Sequence, residues 1–124
     1  MPFEYSKKVM RHFLHPKNVG TIKNADGIGK VTSPVCGDSM LLYIKVKNDR
    51  IKDIKFRTFG CTAAIASSSI LTEMAKGKSI KKASKITKKE IVKALGGLPH
   101  KKIHCSVLAA DALKNAIKDY RKKK

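Results

Sequence analysis

The chain has 124 residues, with 28 Lys and Arg against 9 Asp and Glu, a formal net charge of +19. With 42% hydrophobic and 30% charged residues, it reads as one globular domain over 1–124, with room for a single core. The longest uncharged stretch, Thr58 to Thr72, is studded with Ser, Thr and Gly and is too short for a membrane helix of about 20 apolar residues, and Met1-Pro2-Phe3-Glu4-Tyr5-Ser6 lacks an apolar signal-peptide core. On these grounds a single-domain protein that is neither membrane-spanning nor secreted, in a cytoplasmic location, is expected.

In chain order, Tyr5 to Leu14 reads as a short helix that stops before Pro16, which disfavours helical geometry at His15. Residues 1–20 are expected to form a mobile N-terminal segment. Gly27 to Ser33 is a candidate strand. Met40, Leu42, Ile44 and Val46 alternate with Lys45 and Lys47; Asn48-Asp49 turns the chain, and Ile54, Phe56 and Thr58 continue the alternation. The pattern predicts a hairpin.

After Gly60 the period changes. Ala63 to Ala75 holds a single charge, Glu73, and reads as the central buried helix, with Gly77 placed to end it. Ser79 and Thr87 start two short helices, the second with the capping-box sequence Thr87-Lys88-Lys89-Glu90, and Gly96-Gly97 ends that region. A last helix is expected from about Cys105 to Tyr120, with Ala109, Leu113, Ala116 and Tyr120 on one face and Asp111, Asn115, Lys118 and Asp119 on the other. Residues 121–124 read as a frayed basic tail. The fold class is α+β: a small antiparallel sheet of about three strands with helices packed on one face.

The three cysteines, Cys36, Cys61 and Cys105, are an odd number with no Cys-x-x-Cys pair, which argues against a disulfide framework, a zinc ribbon or a thioredoxin-type motif. Each lies at a boundary between elements. Cys36 sits in the turn Ser33-Pro34-Val35-Cys36-Gly37-Asp38, Cys61 precedes the buried helix, and Cys105 follows His104 at the start of the last one. Backbone N–H groups and the helix dipole at such starts lower a thiol's pKa, and the positive net charge acts in the same direction. If the loops converge, three sulfurs plus the Asp38 carboxylate or the His104 imidazole form one ligand set. Soft thiolates select zinc, copper(I) or iron–sulfur clusters over magnesium or calcium. A structural zinc site would use the same residues.

The same residues carry a resemblance. Tyr5-Ser6 through Asn18-Val19-Gly20, Pro34-Val35-Cys36-Gly37-Asp38, Phe56-Arg57-Thr58-Phe59-Gly60-Cys61 with Ala64 to Ser69, Thr72-Glu73 with Lys76 to Ser79, and Leu98-Pro99 through Ile103-His104-Cys105-Ser106 stand in the order of a known family. Over nearly its whole length the chain resembles the IscU/NifU-type iron–sulfur cluster assembly scaffolds.

That resemblance implies a scaffold, a carrier more than an enzyme, on which a transient [2Fe–2S] cluster is built from iron and desulfurase-derived sulfur and passed to apoproteins. It implies Cys36, Cys61 and Cys105 as ligands, His104 or Asp38 completing the site, Cys105 as acceptor of the persulfide sulfur, Lys102 beside the site, and zinc in the apo form. The implied partners are a cysteine desulfurase and apo iron–sulfur recipients, with a ferredoxin or frataxin-like protein as further candidates. The alternative is a zinc-bound, SufU-like sulfur acceptor that stimulates the desulfurase. His104 ahead of the third cysteine, and the absence of an extra block between Cys61 and Cys105, favour the scaffold. The family's chaperone-recognition segment, Leu-Pro-Pro-Val-Lys, here reads Leu98-Pro99-His100-Lys101-Lys102, which argues against dependence on an Hsp70 and its J-protein.

The charge points elsewhere only weakly. Four of the 28 basic residues are Arg (Arg11, Arg50, Arg57, Arg121), and no aromatic-rich binding signature accompanies them, which argues against nucleic acid and for a solvated lysine face that steers acidic partners.

Overall fold

The computed structural model describes residues 5–33 and 37–123. The elements run α1 (Lys7–Leu14), β1 (Gly27–Thr32), β2 (Ser39–Lys47), β3 (Arg50–Phe59), α2 (Thr62–Ala75), α3 (Ile80–Ala83), α4 (Lys88–Ala94), a 3₁₀ turn (His100–Lys102) and α5 (His104–Lys123). The strands form one antiparallel sheet in the order β1-β2-β3. The β2–β3 hairpin turns at Asn48-Asp49, whose φ angles of 53° and 62° give the both-positive backbone of the turn that matches strand twist.

Alternation holds through β2, where Met40, Leu42 and Ile44 are buried. In β3 it is interrupted: Ile51 and Ile54, three apart, both reach the core. A bulge explains this. Ile54 faces Ile44 and Asp53 faces Lys45, but Val46 faces Ile51, so the register shifts between Lys45 and Val46.

Helices α2 and α5 cover the sheet's inner face, and α1 packs on α2. Nine of the fourteen residues of α2, including Ser67, Ser68, Ser69 and Thr72, are buried, as expected of the helix without a polar face. Helix α5 lies unusually close to β1. A Cβ added at Gly29 would fall 2.1 Å from the Ala112 carbonyl oxygen, and one at Gly27 would fall 2.2 Å from that of Ala116. The helix rests directly on strand backbone, through glycines on one side and alanines on the other.

α5 differs from the sequence expectation at its far end. It continues through Lys123, so Arg121, Lys122 and Lys123, expected as a tail, complete its last turn; Lys124 lies outside the described residues. Asp119 and Asn115, expected on a solvent face, serve the sheet edge. The Ile28 amide donates to Asp119 Oδ2 at 2.9 Å, and Asn115 Nδ2 donates to the Lys30 carbonyl at 3.4 Å. Lys123 pairs with the same Asp119 carboxylate at 3.1 Å, one helical turn on. These contacts occupy backbone groups that β1, as an edge strand, would otherwise expose for pairing.

Candidate metal centre

Three elements meet at one end of the sheet. The chain leaves β1 at Ser33 and re-enters at Asp38, where the Ser33 amide donates to the Asp38 carbonyl at 2.7 Å. Cys61 is the N-cap of α2, and His104 and Cys105 open α5. One ligand atom each from Asp38, Cys61 and Cys105 lie within 4.8 Å of one another. The two sulfurs are 3.5 Å apart, and His104 Nε2 is 3.7 Å from Cys105 Sγ. Cys36, the remaining cysteine, lies outside the described residues.

The Asp38 oxygen Oδ2 is buried and has no hydrogen-bond partner among the described residues, and Asp38 as a whole is only 8% exposed. A buried carboxylate oxygen without a donor is costly unless something else satisfies it. Two thiols beside it make a cation the fitting occupant, and a mixed set of sulfurs and a carboxylate suits zinc or iron; His104, beside Cys105, stands outside this group of three. Gly60 makes this placement possible: a Cβ there would lie 2.6 Å from the Asp38 Cγ.

Electrostatics prepare the Cys61 sulfur. The Cys61 thiol falls from 9.0 to about 6. The hydrogen bond from Cys105 is the main cause; the Ala64 amide and the Lys102 charge add to it, while burial and Asp38 oppose it. Cys61 is therefore largely thiolate at neutral pH. Lys102, in the 3₁₀ turn just before α5, thus lies close enough to act on the site through its charge.

Sequence reasoning missed two contributors. Tyr5 packs against the small buried cluster of Ala63, Ala64 and Cys105; burial raises its phenol's pKa, and the charge on Cys61 raises it further. In the sequence Gly60 marks only a boundary. Nothing in the local pattern reveals that its missing side chain makes room for Asp38, because the two are brought together by strand pairing at the sheet's end.

Residues 4–124 match the family model described as the NifU-like N terminal domain. The chain belongs to this family. The iron-sulfur cluster assembly scaffold protein IscU 1 of Archaeoglobus fulgidus is 64% identical over 119 residues, covering 96% of this chain and 78% of that protein. The IscU scaffold protein of Aquifex aeolicus is 55% identical over 122 residues, covering 97% and 78%. Among solved structures, a putative iron-sulfur cluster assembly scaffold protein for the SUF system from Fervidobacterium islandicum aligns with a TM-score of 0.74 at 25% identity, covering 91% of this chain and 96% of that one. The N-terminal part of a nitrogen-fixing NifU-like protein from Brucella abortus aligns at 0.76, covering 96% and 95%; at 18% identity it supports the fold alone. The three-stranded sheet backed by helices is thus the NifU-like fold, as the sequence led us to expect.

Proposed function

We propose that this NifU-like domain is an iron–sulfur cluster assembly scaffold. The observation that carries the reading is the convergence of Asp38, Cys61 and Cys105 within 4.8 Å in a chain with relatives 64% and 55% identical that bear that name. The cargo is a [2Fe–2S] cluster, held by Cys36, Cys61 and Cys105 with Asp38 or His104 as fourth ligand. Iron and persulfide sulfur are substrates here, each sulfur being reduced to sulfide by two electrons from a ferredoxin-type donor, and zinc occupies the same ligands between cycles. A harder fourth ligand among sulfurs weakens the hold on iron, as a carrier that gives its cluster away requires.

A cysteine desulfurase supplies the sulfur. Cys105 passes its thiol proton to the Cys61 thiolate 3.5 Å away, and the Cys105 sulfur so freed attacks the outer sulfur of the desulfurase persulfide; a new S–S bond forms on Cys105 as the desulfurase thiolate leaves. Cys105 is only 1% exposed, so this step needs local opening ahead of α5, with Lys102 supplying positive charge beside the incoming sulfur. Apo iron–sulfur proteins are the recipients, in a cytoplasmic setting, and no described helix is long and apolar enough to cross a membrane.

The test is anaerobic reconstitution with ferrous iron, cysteine and a desulfurase, followed by visible absorption and Mössbauer spectra. A [2Fe–2S] signature that passes to an apo-ferredoxin supports the scaffold. Bound zinc without a cluster, together with faster desulfurase turnover, would replace it with the sulfur-acceptor reading. Because His100 and Lys101 stand where the family has Pro and Val, an Hsp70 and J-protein pair should leave the transfer rate essentially unchanged; strong stimulation would refute that expectation.

A further inference from the structure

Away from the thiols, the chain builds a second surface of its own. Helices α3 and α4 turn Ile80, Ala83, Ile91 and Leu95 into the core, which leaves their outward positions to lysine. Between residues 76 and 93 eight lysines stand against the single acid Glu90. Lys76 pairs with Asp53 at 3.8 Å, whereas Lys88, Lys89 and Lys93 make no ion pair among the described residues.

Between these three lysines lies a groove of about 460 Å³, floored by the half-buried Val92 and Ile103 and by Gly96-Gly97. The glycines are held in left-handed backbone, with φ of 76° and 104°. Their amides donate to the Lys93 and Val92 carbonyls at 3.0 and 2.9 Å. The groove is therefore preformed, its floor offers apolar contact, and its charge sits on the rim.

We propose that this groove docks an acidic, amphipathic segment of a protein partner, its apolar side chains on Val92 and Ile103 and its carboxylates against Lys88, Lys89 and Lys93. Charge complementarity selects an acidic occupant, and the apolar floor selects protein over nucleic acid. A phosphate backbone gains nothing from Val92 and Ile103, and residues 76–103 contain no Phe, Tyr, Trp or Arg on which a base could stack. An amphipathic helix laid in a groove uses both features together. Ile103 immediately precedes His104 and Cys105, so a docked segment lies beside the start of α5. The proposal stands whatever the thiols hold.

The test uses the full chain without iron or sulfide and a synthetic helical peptide carrying leucines on one face and glutamates flanking them. Binding is followed by fluorescence anisotropy and by amide shifts in a ¹⁵N spectrum. The shifts should centre on Val92, Gly96, Gly97 and Ile103. The triple variant K88E/K89E/K93E should weaken binding at least about tenfold, while K23E/K47E/K52E, which makes the same charge change elsewhere, should change it less than about threefold. Val92→Ser, which leaves the charge intact, should weaken it about threefold or more. Equal losses in the two triple variants would mean nonspecific attraction to a basic protein and would overturn the proposal. So would unchanged binding in Val92→Ser, or a single-stranded oligonucleotide of matched charge that binds the groove more tightly than the peptide.

Discussion

Cys61 is hydrogen-bonded to Cys105, and that bond is the main reason it ionises early. Cys61 is the more exposed of the two and takes the negative charge, which Cys105 stabilises from 3.5 Å. In the metal-free protein, iodoacetamide labelling of Cys61, resolved by peptide mass, should reach half its maximal rate near pH 6. Cys105→Ala removes the main cause of the shift and should move that midpoint up toward 9.0, the ordinary value. A wild-type midpoint already near 9.0 would contradict the geometry. The sign for stability follows from the same shift. A thiol whose pKa is depressed by folding stabilises the fold fully above pH 9, and that contribution fades as the pH falls through about 6.

Gly60 tests the carboxylate without touching a ligand. Gly60→Ala would put a methyl group 2.6 Å from the Asp38 Cγ, forcing Asp38 away from the sulfurs. Zinc affinity, measured by competition with a chelator, should fall about 10- to 100-fold, as when supporting groups around a metal are disturbed. Far-UV circular dichroism should stay close to wild type. Undiminished affinity would remove Asp38 from the ligand set.

Among the elements, α1 is attached by polar contacts that cross a long stretch of sequence. His12 Nδ1 meets Ser69 Oγ at 2.7 Å, the Lys17 amide donates to the same hydroxyl at 2.8 Å, and Asn18 Nδ2 donates to Thr72 Oγ1 at 3.0 Å. Because Ser69 Oγ already accepts from Lys17, its hydrogen is best directed at a bare His12 Nδ1, which requires the neutral ring. Burial lowers the His12 pKa below 6.5 and outweighs the opposing charge of Glu73. A base whose pKa is depressed by folding contributes its full stability above 6.5, and acidification through the folded value removes it. Amide exchange in Lys7–Leu14, corrected for intrinsic rates, should therefore quicken between neutral pH and about pH 5. Equal protection at both would mean that α1 is held by its apolar face alone. The same exchange measurement reads out the proposed mobility of residues 1–20.

That attachment shows where sequence reading stops. The helix itself is legible in Tyr5 to Leu14 and the stop before Pro16, as the β2–β3 hairpin is in its alternation and in Asn48-Asp49. These signals are local. The partners of Ser69 and Thr72 lie more than fifty residues away, so their burial in α2 could be foreseen but its purpose could not. The site divides along the same line. Cysteines at element boundaries announced thiolates, and family resemblance grouped them. The approach of Asp38 to Gly60 and the position of Tyr5 against the cluster of Ala63, Ala64 and Cys105 depend on tertiary packing. The bulge in β3 and the role of Asp119 at the edge of β1 were hidden for that reason as well.

At the scale of the whole molecule, the +19 charge works against the compact state. The described residues form three ion pairs, between Lys45 and Asp26, Lys76 and Asp53, and Lys123 and Asp119, all with substantially exposed side chains, and exposed pairs add little stability. Most lysines therefore have no acidic partner among the described residues, and unfolding relieves the net repulsion by spreading the charges apart. Salt should reverse the penalty, since at about 0.15 M ionic strength the screening length falls to about 8 Å. The metal-free protein is expected to melt at a higher temperature in moderate sodium chloride than in low-salt buffer. Each 1 kcal/mol of relieved repulsion should raise the midpoint by about 4 °C for a domain of this size. The direction separates two pictures of the surface. If scattered favourable ion pairs dominated, added salt would lower the midpoint instead, and the lysine face would be a stabilising network. A rising midpoint assigns those lysines to partners rather than to the fold, which is the distribution the unpaired Lys88, Lys89 and Lys93 around the α4 groove require.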